Sequence, residues 1–385
     1  MRPGKLPGLK CIQTPFYMRI GIDCRLGGKQ HAGLGRYIEN LVSELIDQNN
    51  ETIVWVLFFS NKVQAESALG ANISHPQCEI IYVPIKHYTL TEQLILPIHF
   101  YKAKLSLLHV PHFNAPVLYT GRMVVTIHDL LWHEKKGTQV TTLSPVLYWI
   151  KYVFYRFVAT TNIYKAKSIF VPAETVKNII IKYYPTVVNK IVVTTEGSNL
   201  EKYQRKGTQK KKHSLLYVGS LYPHKNIQLV IDALRILPNY SLTIVGSRNV
   251  FQDKVVRYVQ ERQLQNRVQF LGYVADDSLA KHYQNATVLV QPSLSEGFGL
   301  TGIEAFSLNT PVIASDIPIF REIYGNAAQY FNPHSVESFI AALQKIEKQS
   351  PTSFQKKAAE VSAQYSWKRM AKITNTVYLS HINHA

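Results

Sequence analysis

Short runs rich in Val, Ile and Leu recur along the chain, and between them lie longer stretches whose apolar positions fall three and four residues apart. Runs at 52–59, 80–83, 107–110, 123–127, 168–171 and 190–194 are bounded by polar residues or Pro, the pattern of strands buried on both faces. The stretches at 35–48 and 91–104 carry the helical period. After a polar, basic segment at 201–213 the pattern restarts. Strands are expected at 214–218, 241–245, 268–271, 287–291 and 311–314. Helices are expected near 227–237, 252–263, 277–285, 301–308, 319–324 and 335–349, with a last one over 352–382. Alternating β and α elements predict an α/β fold of two Rossmann-like, doubly wound parallel-sheet domains. The division reads as 18–200, a linker at 201–213, 214–362, and a C-terminal helix at 363–385 able to return to the first domain. Open parallel sheets bind ligands beyond the carboxyl ends of their strands, so two facing sheets predict a cleft site.

Four segments bring chemistry to such edges. Gly27, Gly28, Gly33 and Gly35 precede and open a helix; there backbone amides can approach an anion, or the glycines can simply make a tight turn. His128 and Asp129 end a strand, where an imidazole can meet a hydroxyl or a developing charge. His31, His112, His133 and His224 also fall near loop edges, with weaker claims. Gly219 and Ser220 follow a strand, and Lys225 stands just before a helix, a compact cation suited to phosphate oxygens. The fourth segment, 292–304, holds Glu296 in a glycine-rich loop and Glu304 one turn into the next helix. A carboxylate accepts from two vicinal sugar hydroxyls at once, and the amides of Gly297, Phe298, Gly299 and Leu300 can bind a sugar or phosphate.

Charge narrows the partners. Lys and Arg exceed Asp and Glu by 43 to 25, a formal net charge of +18, spread over both halves. Such a surplus favours phosphorylated metabolites or anionic lipid, and no nucleic-acid motif accompanies it. The aromatic and basic stretch 143–167 could lie on an anionic membrane or pack on its own domain. Cys11, Cys24 and Cys78 show no metal-ligand spacing, which predicts a reducing, cytoplasmic setting. No run of about 18 apolar residues predicts a membrane span. Residues 1–17 read as a disordered extension ahead of Met18, a candidate true start.

Together these segments resemble the retaining glycosyltransferases of the GT-B fold, family 4, from Met18 onward. The resemblance rests on Glu296 and Glu304 with seven residues between them, their flanks at 291–293 and 309–315, and the ordered segments at 33–37, 128–130 and 225–226. It implies a nucleotide-sugar donor, with Glu304 on the ribose, Glu296 on the transferred sugar, and Lys225 on the diphosphate. The Gly33–Gly35 loop would approach that diphosphate, and His128 would lie beside the sugar. It further implies retention of configuration and a saccharide or lipid-linked acceptor. Its general look is similar to bacterial mannosyltransferases of surface polysaccharides such as lipopolysaccharide, with GDP-mannose as donor. The absence of an Asp-x-Asp motif predicts no metal and no cofactor. Two departures stand out: Ser220 occupies a position where many members carry Arg, and His224 one where a subgroup carries Arg. Arg248 could compensate. A sugar-nucleotide 2-epimerase or a non-catalytic sugar-nucleotide binder are the alternative readings.

Overall fold

The computed structural model describes residues 18–28, 32–48, 50–134, 144–204, 211–246, 250–348 and 350–383. The extension 1–17, His31 and Arg248 lie outside them. The first half runs β1 (Met18–Asp23), α1 (Ala32–Asp47), β2 (Ile53–Phe59), α2 (Lys62–Leu69), β3 (Cys78–Tyr82), α3 (Leu90–Lys102) and β4 (Leu107–Val110). It continues through β5 (Met123–Thr126), α4 (Leu131–Glu134), α5 (Pro145–Lys165), β6 (Ile169–Val171), α6 (Glu174–Tyr183) and β7 (Ile191–Val193). Among the described residues these strands form one seven-stranded sheet in the order β3-β2-β1-β4-β5-β6-β7, every pairing parallel.

The second half begins with β8 (Ser214–Val218), α7 (Ile227–Ile236), β9 (Ser241–Val245), α8 (Gln252–Glu261), β10 (Val268–Gly272) and α9 (Asp276–Asn285). It goes on through β11 (Val288–Gln291), α10 (Leu300–Ser307), β12 (Val312–Ser315), α11 (Pro318–Tyr324), β13 (Gln329–Phe331) and α12 (Val336–Lys348). The six strands pair in parallel in the order β10-β9-β8-β11-β12-β13. Both sheets reverse their winding beside their first strand, and each such switch point leaves a crevice at the carboxyl edge. The short strand β13 was not legible in the sequence, because three residues at a sheet edge carry too little periodicity.

The single helix expected over 352–382 is two. α13 (Pro351–Ser362) packs on α10 in the second domain, whereas α14 (Trp367–Asn383) packs on α1 in the first. A straight helix cannot lie on both domains, so the chain turns between them. Buried Trp367 starts α14 where the backbone passes Gly197 so closely that a Cβ there would meet the Trp367 nitrogen at 2.5 Å. Farther along, Tyr378 hydrogen-bonds His109 Nδ1 beneath the first sheet, and Asn375 Nδ2 donates to Gln48 Oε1 just after α1. The other face of His109 meets Thr126 Oγ1 at 2.8 Å. Burial holds the His109 imidazole neutral, its pKa lowered to about 3.

Polar contacts join the domains at several places among the described residues. Glu322 of α11 accepts from the backbone amides of Glu174 and Thr175, both at 2.7 Å, and so caps α6 from across the interface. Arg36 of α1 donates to Glu304 Oε1 and to Asp276 Oδ1, each at 2.6 Å.

Candidate active site

The glycine-rich loops meet where the sheets face each other. After β1 the chain turns at Gly28 in a left-handed conformation, φ 101°, and its carbonyl lies against Gly35, where a Cβ would come within 2.2 Å. Only hydrogen fits there, so Gly35 brings α1 back onto the turn. Gly33 is exposed at the start of α1, and a Cβ there would have open space within 4 Å. The second domain repeats the device: the Gly219 carbonyl lies against Gly246, where a Cβ would come within 2.1 Å. Ser220 follows Gly219 on this loop, and its carbonyl accepts from buried Tyr217 at 2.5 Å.

The loop carrying Lys225 is tied to the loop carrying Glu296. Leu294 N donates to the His224 carbonyl at 2.7 Å, and Asn226 Nδ2 donates to the carbonyls of Pro292 and Pro333 at 3.1 and 2.8 Å. Asn226 is left-handed, φ 54°, which lets the turn enter α7. Thus held, Lys225 Nζ reaches Glu296 Oε2 at 2.7 Å, while Ser293 Oγ donates to Glu296 Oε1 at 2.7 Å. Burial raises the Glu296 pKa, but the Lys225 charge and the hydrogen bonds from Lys225 and Ser293 outweigh it, so the carboxyl sits below its ordinary 4.5.

Phe298 points into the core, edge-on to Tyr365 at 5.4 Å, so its backbone rather than its ring is available to the cleft. Gly299, φ 94°, leads into α10, and its carbonyl accepts from buried Tyr324. Leu300 is buried at the first turn. One turn on, Glu304 is buried; Arg36 holds Oε1, and Tyr283 donates to Oε2 at 2.7 Å. Burial lifts the Glu304 pKa above the ordinary range, and Arg36 and Tyr283 offset only part of the rise.

Across the cleft, His128 follows β5. Its ring stands edge-on to Tyr37 at 4.7 Å, with Nδ1 3.4 Å from Glu196 Oε1. Its Nε2 is buried with no hydrogen-bond partner among the described residues. The domains approach closely here: a Cβ on Gly297 would lie 2.3 Å from the His128 carbonyl oxygen. The structure therefore brings His128, Lys225, Glu296 and the 297–300 backbone to one cleft. Glu304 lies on the same loop-helix unit, engaged by the first domain. His133 does not join them; it is buried between the hydroxyls of Tyr155 and Tyr184.

Glu196, Arg36 and Tyr283 escaped sequence reasoning as site residues. Arg36 lies in the segment at 33–37 without a role of its own, and a lone Glu after a short strand carries no motif. Beside the cleft, on the first domain alone, a small pocket is lined by Asp23, His87, His112 and Asn114 among others. Under it, fully buried Arg25 bridges Asp23 Oδ2 at 2.7 Å and Glu92 Oε1 at 2.8 Å, a rigid floor for the crevice.

Two facing parallel-sheet domains with glycine loops at their carboxyl edges make the GT-B fold. Solved structures agree on the fold. Sucrose-phosphate synthase from Thermosynechococcus elongatus superposes with a TM-score of 0.75 at 18% identity, covering 96% of this chain and 100% of that one. Anabaena Alr3699/HepE in complex with UDP and glucose gives 0.72 at 15% identity, covering 94% and 100%. The family model for glycosyl transferases group 1 matches residues 199–364. The O-antigen chain mannosyltransferase RfbU of Salmonella typhimurium is 31% identical over 268 residues, 69% of this chain and 71% of that protein. The O-antigen chain mannosyltransferase B of Escherichia coli is 31% identical over 170 residues, 42% and 45% of the two chains. The chain belongs to the glycosyl transferases group 1 family and is a glycosyltransferase.

Proposed function

We propose that this enzyme transfers a hexosyl group, mannose from GDP-mannose, to a saccharide or lipid-linked acceptor in surface polysaccharide biosynthesis, with retention of anomeric configuration and without a metal or cofactor. The O-antigen mannosyltransferase relatives support the sugar and the setting. The Lys225–Glu296 pair, held facing His128 across the cleft, carries the reading.

In this reading the bond between the anomeric carbon and the diphosphate breaks, and its electron pair leaves on the phosphate oxygen. The acceptor hydroxyl oxygen forms the new bond on the same face, and its proton passes to the departing phosphate. The transition state is oxocarbenium-like, so fixed cations and amides at the leaving group lower the barrier most. Lys225 has three N–H donors, so one can stay on Glu296 while the others meet phosphate oxygens. With the uncharged Ser220 next to Gly219, Lys225 bears most of that charge. Glu296, kept ionised by Lys225, has lone pairs left for sugar hydroxyls. Nε2 of His128 offers the sugar a hydrogen bond. Glu304 grips the ribose, which requires that it share or release Arg36.

A thermal-shift screen of GDP-, UDP- and ADP-sugars selects the donor, and NMR of the product fixes its anomeric configuration. Stabilisation by a UDP-sugar alone would overturn the donor assignment. Both Glu296→Ala and Lys225→Ala are expected to lower turnover about 100-fold or more, since each removes one charged contact made at the reacting end. Wild-type turnover in either variant overturns the role given to the pair.

A further inference from the structure

We propose that α3 and α5 together form a docking face for an anionic lipid surface. Both helices are apolar on the side turned away from their own core, where a surface helix is ordinarily polar. On α3, Leu90, Leu94, Ile98 and Tyr101 are 69%, 58%, 46% and 48% exposed. Their spacing of three or four residues sets them in one stripe. On α5, Val146, Ile150, Val153 and Phe157 repeat the pattern at 73%, 62%, 65% and 58%.

The stripes share one face. α3 crosses the sheet from β3 to β4 and α5 continues in the same direction from β5 to β6, so right-handed crossovers set both on one side. The segment between β4 and β5 is tied to each. Gln93 on α3 accepts from Val117 N at 2.9 Å, and on α5 Asn162 and Lys165 donate to the carbonyls of Ala115 and Val117 at 2.6 and 2.9 Å. Leu118, 54% exposed, lies next to Val117 on this shared segment. Single exposed apolar residues are ordinary on a surface, but two such stripes on one side of a sheet, tied to the same segment, form the kind of patch that marks a contact site.

Charge selects the occupant. α5 has no acidic residue, and the one acid of α3, Glu92, is fully buried. Lys86, Lys102, Lys104, Lys151 and Lys167 are exposed in or beside the two helices. A second copy of this face, paired about a two-fold axis, would bring lysine against lysine. Anionic headgroups instead neutralise the lysines while the apolar side chains enter the acyl boundary. Trp149 and Tyr101, each about half exposed, have the amphipathic rings that favour that boundary.

Because both helices follow carboxyl ends of strands, their first turns border the cleft. Tyr88, just before α3, meets His112 of the crevice at 3.3 Å. Docking thus turns the first domain's crevice toward the lipid, so that a membrane-borne acceptor can enter it. This consequence rests on the transferase reading, whereas the docking itself does not.

Co-sedimentation of the full chain with phosphatidylglycerol–phosphatidylcholine vesicles, without any nucleotide sugar, tests it. Binding is expected at low salt, weaker at high salt and on phosphatidylcholine alone. The pairs Leu94→Glu with Ile98→Glu, and Ile150→Glu with Val153→Glu, should each lower partitioning about 100-fold while circular dichroism and melting stay unchanged. Val63→Glu, on exposed α2 across the sheet, should bind as wild type. No wild-type binding at low salt, equal binding to phosphatidylcholine, or wild-type binding by either paired variant overturns the proposal. So does a dimer in sedimentation velocity that the paired variants dissociate without vesicle binding.

Discussion

Gly297→Ala isolates the closeness of the two domains. A Cβ at this position would sit 2.3 Å from the His128 carbonyl oxygen and 3.1 Å from its carbon, both backbone atoms with no rotamer of escape. Real Cβ atoms essentially never approach within 3.0 Å, so the Glu296 loop and the His128 segment must separate by about 0.7 Å or more. Each domain's own core lies behind this contact and is untouched. A displacement near ~1 Å at reacting groups costs about 100-fold in rate, so kcat/KM should fall about 30- to 100-fold, or about 2–3 kcal/mol of transition-state stabilisation. The melting temperature should change little, because Ala also restricts the unfolded chain by about 0.4–1 kcal/mol. Initial rates with the donor found by thermal shift, alongside calorimetry, provide the assay. A kcat/KM within twofold of wild type at unchanged stability would refute the reasoning: the domains would not need this approach during turnover.

Removing Arg36 leaves Glu304 buried with Tyr283 as its remaining hydrogen-bond donor among the described residues. The Arg36 side chain keeps 24% exposure, so the loss is expected at about 2 kcal/mol in Arg36→Ala rather than the ~3–5 of a fully buried pair. Urea unfolding reads it, and Arg36→Lys should rescue poorly, since one ammonium does not reproduce the two-pronged reach to Glu304 and Asp276. An unchanged urea midpoint would show that the bridge adds nothing. His109 makes the fold sensitive to acid. Its folded pKa of about 3 lies below the ordinary 6.5, so the unfolded chain takes up the proton first. Its stabilising effect is complete above pH 6.5 and falls as the pH drops toward 3, by about 3 kcal/mol at about pH 4. His109→Gln should flatten that part of the stability profile, and an identical slope in the variant would contradict the assignment.

The alternating β and α elements were legible because strands buried on both faces must be apolar runs, and helices laid on them must be apolar every third or fourth residue. Hence 107–110, 214–218 and 241–245 coincide with β4, β8 and β9. The helical period over 352–382 showed no break between α13 and α14, and only the domain division drawn after residue 362 separated them, because each helix keeps its own apolar stripe and the stripes face different domains. Within the site, the glycines, Lys225 and the two glutamates could be named because residue type and spacing along one chain carry their chemistry. Phe298 could be named but not oriented.

Sequence by itself determined the two sheets, their restart after residue 213, and the loops on which the cleft is built, since these follow from local periodicity and from glycines that admit no side chain. Only the tertiary structure decided which charges meet: Lys225 with Glu296, 71 positions apart, and Arg36 with Glu304, 268 apart. It also decided that the outward stripes of α3 and α5 share one face. Such pairings depend on how the sheets wind and how closely the domains approach, and no spacing along a chain encodes a distance across a cleft.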